Sequence, residues 1–274
     1  MTTPPTSQNN VPDASEGVVV LITPEVATIT LNRPDQRNPL NWATVKALRR
    51  ITSELEQNDT VRVVCVRGAG GNFSAGGDMR GYVDLYRCPN DFEAFLRDFM
   101  RMLDQIETSK KIYVALIEGY CVAGGLELLL ACDVVLASSS AQIGCGHLKF
   151  GQLPGAGGSQ RLPRTIGALR AKYLMLSAEI LSAAEAERIG LVSKVIDDVE
   201  FDAAASKFVG RLTSASPLGI RGVKHLVDKG MRMELPAALE FELKYVHDYA
   251  TRSEDATEGL MAFSEKRKPR FTCK

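Results

Sequence analysis

The 274-residue chain carries 33 Lys and Arg residues against 33 Asp and Glu residues, so its formal net charge at pH 7 is zero. This balance argues against binding to nucleic acid or to an anionic membrane surface through bulk charge. Hydrophobic residues make up 45% of the chain and charged residues 24%, which excludes disorder over most of its length. The most apolar stretch, residues 112–137, is interrupted by Glu118, Glu127 and Asp133, so it does not read as a membrane helix.

Residues 1–16 are polar and contain neither a basic start nor an apolar run. They predict a disordered tail rather than a secretory signal or an Arg-rich transit peptide. The six cysteines are widely spaced and form no CxxC pair, which favours reduced thiols. Together these features predict a cytoplasmic protein. The three histidines lie far apart with no cysteine or carboxylate at ligand spacing, so no metal site is predicted.

The first half of the chain alternates between strand and helix patterns. Two β-rich runs, 18–22 and 26–31, are separated by a short turn and predict a hairpin. An amphipathic helix follows from residue 41 to about residue 58. A buried strand at 61–66, a second amphipathic stretch at 91–107 and another apolar strand at 112–117 complete the series. This order predicts an α/β fold whose strands are largely parallel and buried on both faces.

The pattern changes in the second half. Short strands are predicted at 134–137, 142–144 and 191–196, and beyond residue 201 only helical periods remain, at 201–212, 218–230, 236–250 and 254–266. We therefore divide the chain into an α/β core, residues 17–200, and a helical region, residues 201–274. That region is too small to hold a rich core alone, so it is predicted to pack on the α/β part or on another subunit.

Several common catalytic signatures are excluded by inspection. The glycines at 68–70 lack the third glycine of a dinucleotide fingerprint, and no Gly-Lys-Ser/Thr phosphate loop is present. The run 72–76 resembles a nucleophile elbow, but Asn72 replaces its first glycine and turn, rather than helix, is predicted to follow. A serine hydrolase is therefore not favoured.

Three glycine-rich turns at 73–78, 123–127 and 154–158 remain. Small residues let a ligand approach the backbone, and two N–H groups that converge on one oxygen form an oxyanion hole. The alternative is that the glycines only form tight turns. Glu127 favours a site, because it lies among leucines in the first turn of an apolar helix, where a carboxylate is a candidate acid or base.

The chain resembles the enoyl-CoA hydratase/isomerase (crotonase) superfamily from about residue 17 to residue 271. The resemblance is carried by Ile-Thr-Leu-Asn-Arg-Pro at 29–34, the three glycine-rich turns, Ala-Cys-Asp at 131–133 and Phe-Ser-Glu-Lys-Arg at 263–267. It implies a crotonase-like spiral of ββα units with a C-terminal helical trimerisation region in residues 201–274. It also implies a homotrimer or a hexamer built as a dimer of trimers.

The resemblance further implies an acyl-CoA substrate, with coenzyme A as part of that substrate and no separate cofactor. By the family pattern the thioester carbonyl is held by the backbone N–H groups of Ala75 and Gly124. The remaining positions implied for coenzyme A binding are Arg37, Asn38, Gly76, Gly77, Asp78, Phe263 and Lys266, of which the last two would reach the coenzyme of a neighbouring subunit. For Lys266, in the run Lys-Arg-Lys, a solvated basic end is the alternative. Residues 82–99 are predicted to shape the acyl pocket.

One position departs from the family pattern. Hydratases of this family use two glutamates, and the first matches Glu127, whereas His147 occupies the place of the second. Histidine can donate or accept a proton near neutral pH, so acid/base chemistry survives.

Three hypotheses follow from this departure. The first is hydration of an enoyl-CoA with Glu127 as base and His147 as proton donor. The second is another reaction through the same enolate, such as isomerisation, hydrolysis or C–C cleavage of an unusual acyl group. The third is a non-catalytic CoA-binding role in which His147 is a surface-loop residue.

Overall fold

The computed structural model of the protein describes residues 17–274, and the predicted tail, residues 1–16, lies outside the described residues. The strands of the described part are β1 (Val18–Thr23), β2 (Val26–Leu31), β3 (Val63–Gly68), β4 (Ile112–Ile117), β5 (Tyr120–Val122), β6 (Val134–Ser138), β7 (Gln142–Gly144), β8 (Ile180–Ser182) and β9 (Lys194–Ile196). Its α-helices are α1 (Trp42–Gln57), α2 (Met79–Arg87), α3 (Pro89–Thr108), α4 (Gly124–Leu129), α5 (Gly158–Ile166), α6 (Ala168–Ser177), α7 (Ala183–Arg188), α8 (Phe201–Thr213), α9 (Pro217–Gly230), α10 (Leu235–Arg252) and α11 (Glu254–Ser264).

The main sheet has six strands in the order β1-β2-β3-β4-β6-β9. β1 and β2 form the predicted antiparallel hairpin, and every later neighbour pairs in parallel. All six residues of β4 are buried, as expected for a parallel strand covered on both faces. The structure therefore confirms the predicted α/β class and its largely parallel sheet.

A second, three-stranded sheet in the order β5-β7-β8 lies beside the first. β5 and β7 pair in parallel, and β7 and β8 pair in the antiparallel direction. Only β7 was predicted. Strands of three residues give a weak periodic signal, and β5 and β8 also adjoin glycine-turn and helix patterns, so their pairing with β7 is visible only in the folded chain.

Helix α2 was missed, because turn was predicted to continue after residue 76. The Asp78 side chain accepts hydrogen bonds from the backbone N–H groups of Arg80 and Gly81 and so caps the helix at its N-terminus. Gly81 inside the first turn lowers the helix propensity of this segment. The expectation of continued turn is therefore wrong from Met79 onward.

The loop at 73–78 is fixed by backbone hydrogen bonds to two neighbouring segments. Ser74 N–H donates to the Tyr120 carbonyl at 2.9 Å, and Val122 N–H donates back to the Ser74 carbonyl at 3.0 Å. On the other side, Leu40 N–H donates to the Gly76 carbonyl at 2.8 Å. These bonds bring the first two glycine-rich turns side by side at one end of the main sheet.

The C-terminal helices attach to the α/β part in two ways. Phe201, Ala205 and Val209 of α8 are buried in an apolar cluster with strands β3, β4 and β6. In α9 the buried Lys224 Nζ donates to the Asp133 carboxylate at 2.9 Å and to two backbone carbonyls. Of the two predicted alternatives, packing on the α/β part or on another subunit, α8 and α9 show the first.

Helix α10 buries no residue in the single chain. Its aliphatic side chains Leu235, Leu239 and Leu243 are exposed, whereas Phe241 and Tyr245 are half-buried against His225 of α9. A face of this kind is what subunit contact would cover, and the trimerisation role stays a prediction. Among residues 17–274, no helix combines the length and apolar character needed to cross a membrane.

Candidate active site

A cavity of about 960 Å³ lies where the first two glycine-rich turns meet. Its walls include the predicted site residues Ala75, Gly77, Gly124, Glu127 and His147. A larger cavity, about 1140 Å³, lies between α3, α5 and α9 and contains none of the predicted site residues. Chemistry rather than size therefore identifies the smaller cavity as the candidate active site.

Glu127 lies in the first turn of α4 and is 3% exposed. One carboxylate oxygen, Oε1, accepts hydrogen bonds from the backbone N–H groups of Ala156 at 2.8 Å and Gly158 at 2.9 Å. A Cβ on Gly158 would lie 3.0 Å from this oxygen, so the close approach requires glycine there. The third glycine-rich turn therefore holds the carboxylate of Glu127, and it leaves the second oxygen, Oε2, for chemistry.

The His147 side chain lies beside that second oxygen. Its Nε2 is 3.7 Å from Glu127 Oε2, and its side chain is only 12% exposed. The other ring nitrogen, Nδ1, lies 3.2 Å from the Cys145 sulfur. The structure therefore brings Glu127 and His147 together, as predicted, and adds Cys145, which sequence reasoning missed. The sequence did contain a signal for Cys145, because it stands two positions before His147 and residues at that spacing can face the same side of a bend.

The surroundings of His147 favour its protonated form. Burial by itself lowers the pKa of His147, but the hydrogen bond with Cys145 and the hydrogen bonding and negative charge of Glu127 outweigh it and raise the pKa to about 9. At neutral pH the site therefore holds an imidazolium next to a carboxylate. This is a proton donor and a proton acceptor in one cavity.

We expect Cys145→Ala to lower the pKa of His147 from about 9 toward its ordinary value, because one of the hydrogen bonds that raise it is lost. NMR titration of ¹⁵N-histidine-labelled protein would measure this, since the chain has only three histidines. Cys88→Ala, which removes an exposed thiol, is the matched control. An unchanged His147 titration in Cys145→Ala would show that the thiol does not influence the ring.

The backbone amides near the cavity correct one prediction. Ala75 N–H donates to the Arg37 carbonyl at 2.8 Å, so it is not available to a thioester oxygen and its predicted role is wrong. Two residues later, the Gly77 nitrogen lies 3.6 Å from the point where a side chain on Gly124 would begin. Within the described chain, neither the Gly77 nor the Gly124 N–H has a hydrogen-bond acceptor. These two amides are therefore the candidate oxyanion hole.

The residue before Gly124 has a strained backbone. Ala123 has φ 52° and ψ −117°, outside the regions that L-residues prefer. This conformation starts α4 directly at Gly124, whose N–H is one of the first helical donors and has no partner inside the helix. Strain held next to a free amide is common at functional sites.

The predicted coenzyme-binding residues lie in different places relative to the cavity. The exposed Arg37 lies at the rim, with its guanidinium 5.0 Å from the centre of the Tyr120 ring. Asn38 is buried, and its side chain bonds to backbone groups of Arg33, Ala69 and Asn72, so its side chain holds the loop.

Gly76 and Asp78 belong to the loop and to the cap of α2, and Gly76 adopts φ +95°. Phe263 is 86% exposed, and neither it nor Lys266 lines the cavity of its own chain. A contact of these two residues with a neighbouring subunit's coenzyme stays a prediction. In the described residues no cluster of three or more His, Cys, Asp or Glu side chains could hold a metal ion.

The predicted acyl-pocket segment does line the cavity. Aromatic and apolar side chains of α2 and α3 form one wall, namely Tyr82, Tyr86, Phe92, Phe95, Leu96 and Phe99. Phe95 and Phe99 are nearly fully buried, so this wall is part of the core as well as of the site.

The chain is similar to known proteins over nearly its whole length. The family model for enoyl-CoA hydratase/isomerase matches residues 22–274. A probable enoyl-CoA hydratase of Mycobacterium tuberculosis is 36% identical over 259 residues, which are 94% of this chain and 98% of that protein. A short-chain-enoyl-CoA hydratase of Clostridium acetobutylicum is 33% identical over 245 residues, covering 89% and 93% of the two chains. A crystal structure of enoyl-CoA hydratase from Bacillus anthracis matches with a TM-score of 0.89 at 32% identity, over 94% of this chain and 100% of that one.

Proposed function

The chain belongs to the enoyl-CoA hydratase/isomerase family, and we propose that it adds water across the double bond of an enoyl-CoA thioester. The observation that carries this proposal is the arrangement of the two carboxylate oxygens of Glu127. Two backbone N–H groups occupy its Oε1 and hold the carboxylate, while Oε2 faces the protonated His147 across 3.7 Å. A fixed base and a fixed acid that share one cavity are what water addition requires.

The proposed reaction begins with the thioester oxygen on the N–H groups of Gly77 and Gly124. Glu127 Oε2 takes a proton from water as the water oxygen bonds to the β-carbon. The π electrons of the double bond then move toward the thioester oxygen, where the two amides stabilise the enolate charge. Both donors belong to the folded backbone, so they are already oriented before the charge develops.

The enolate then collapses. His147 Nε2 gives its proton to the α-carbon, and the carbonyl reforms as the electron pair returns. Glu127 is now protonated and His147 is neutral, so a proton transfer from Oε2 to Nε2 restores both groups. Their separation of 3.7 Å is close enough for this transfer after a small side-chain movement.

A second candidate is another enolate reaction on an unusual acyl-CoA. The observation in its favour is that an imidazolium, rather than a second carboxylate, faces Glu127. An imidazolium cannot accept a proton from water. It therefore suits a step that protonates the enolate better than a step in which two side chains together bind and activate the water. For assembly, we propose a homotrimer or a dimer of trimers, supported by family membership and by the exposed apolar face of α10.

Incubation of the purified protein with a panel of acyl-CoA esters in heavy water tests both candidates. Mass spectrometry would score water addition, deuterium exchange and free coenzyme A together. We expect water addition to an enoyl ester. Exchange without addition, or released coenzyme A, would favour the second candidate, and no change across a broad panel would favour a binding role without catalysis.

A further inference from the structure

Tyr82 lies in the first turn of α2, and its ring reaches back over Gly77. A Cβ on Gly77 would collide with the Tyr82 hydroxyl and with the ring carbon that carries it, so the ring packs directly on the glycine backbone. Gly77 provides one of the two amides of the candidate oxyanion hole. The hydroxyl of Tyr82 is therefore placed beside that hole, in the same cavity as Glu127 and His147.

The ring is held in this position by aromatic neighbours. It stacks on Tyr86 with ring centres 6.0 Å apart, and it contacts Phe95 at 5.6 Å and Phe92 at 6.4 Å. These contacts involve only the ring faces and edges. A phenylalanine would make the same contacts, so packing does not explain why this residue carries a hydroxyl.

The hydroxyl itself is unused in the free protein. Among residues 17–274 it has no hydrogen-bond partner, whereas the hydroxyl of the neighbouring Tyr86 donates to the side chain of Gln152. Burial, with a contribution from the negative charge of Glu127, raises the pKa of Tyr82 far above its ordinary value. The group therefore stays protonated and remains a donor across the working pH range. Because no protein group uses this donor, it is available to an acceptor that binds in the cavity.

We propose that the Tyr82 hydroxyl is a third hydrogen-bond donor to the thioester oxygen, beside the Gly77 and Gly124 amides. This inference rests on the proposed function, because the enolate oxygen is the acceptor it requires. Its bond strengthens as negative charge collects on that oxygen, since donors to charged acceptors form the stronger hydrogen bonds. Tyr82 is thus a catalytic residue that stabilises the enolate more than the ground state.

The test uses acetoacetyl-CoA as a probe, because the acidic carbon between its two carbonyls gives an enolate that absorbs in the ultraviolet. Bound enolate is titrated against pH in the wild type, in Tyr82→Phe and in Tyr173→Phe. The control removes a hydroxyl from a side chain on α6 that is 62% exposed and outside the cavity. We expect Tyr82→Phe to stabilise the enolate about tenfold less, which moves the titration upward by about one pH unit.

The affinity for acetyl-CoA separates weaker enolate stabilisation from a general loss of binding. We expect the Kd for acetyl-CoA to change less than about threefold in Tyr82→Phe. For hydration, kcat should fall about tenfold while KM stays within about threefold. Equal enolate titrations in wild type and Tyr82→Phe would overturn the proposal for Tyr82 alone. A wild type that forms bound enolate without hydrating any ester would overturn hydration and leave Tyr82 in place. A wild type that neither forms bound enolate nor hydrates any ester would overturn both.

Discussion

Glu127→Gln is expected to lower kcat for hydration by about 10³-fold or more, because it removes the base that takes the proton from water. The amide oxygen of glutamine can still accept the hydrogen bonds from Ala156 and Gly158, so the third glycine-rich turn should keep its position. Affinity for coenzyme A esters should therefore stay close to that of the wild type. Steady-state kinetics and calorimetric titration with a saturated acyl-CoA measure the two quantities.

The matched control for this variant is Glu93→Gln. It makes the same chemical change on an exposed carboxylate of α3 that pairs with Arg97 one turn away. An exposed ion pair of this kind contributes little to the stability of the protein. The kinetics and the acyl-CoA affinity of Glu93→Gln should therefore equal those of the wild type. Turnover in Glu127→Gln equal to that of the wild type would show that another group activates the water.

The activity is expected to fall as the pH rises through about 9, because the proposed acid is the His147 imidazolium and its pKa is raised to about 9. The sign follows from the direction of the shift. A raised pKa means that the proton is retained up to higher pH, so the donor is present at neutral pH and is lost on the alkaline side. A kcat profile between pH 6 and pH 10 measures this limb.

His147→Gln should lower kcat by about 10²- to 10³-fold and should abolish the alkaline limb, since no titrating acid remains. His247→Gln, which replaces a histidine whose side chain is 68% exposed on α10, is the control and should keep the wild-type profile. An alkaline limb near pH 9 that persists in His147→Gln would assign the titration to another residue.

His147→Glu separates the two candidate reactions. If the enzyme is a hydratase, this variant restores the pair of glutamates of the family pattern and should retain or raise hydratase activity. Its two carboxylates would lie close together, so one of them would have a raised pKa and could act as the acid. If the histidine serves a different reaction, the same variant should abolish activity.

The α/β class and the main sheet follow from local patterns in the sequence. Helix α1 was predicted as a helix from residue 41 to about residue 58, because its apolar side chains recur every three or four residues, and it spans Trp42–Gln57. Strand β4 was predicted with its observed bounds, because a run of six apolar residues between turns can be buried on both faces. Both signals depend only on neighbours along the chain.

Elements without such a period were not predicted. β5 and β8 adjoin glycine-turn and helix patterns, and α2 begins at a cap formed by Asp78 within a glycine-rich segment. Their formation depends on contacts made after the chain has folded, including the pairing of β5 with Ser74. Tertiary context therefore decided these elements where local propensity was weak.

The site shows the same division at the level of atoms. The sequence by itself determined that Glu127 is a buried carboxylate at a glycine-rich turn and that a histidine stands at position 147, because residue type and spacing are local facts. Only the tertiary structure decided which amides are free. Ala75 N–H is donated to the carbonyl of Arg37, 38 positions away, and the amide of Gly77 is left to face Gly124. Hydrogen-bond pairing between distant segments is a property of the folded backbone, and no pattern along the chain encodes which donor it leaves unused.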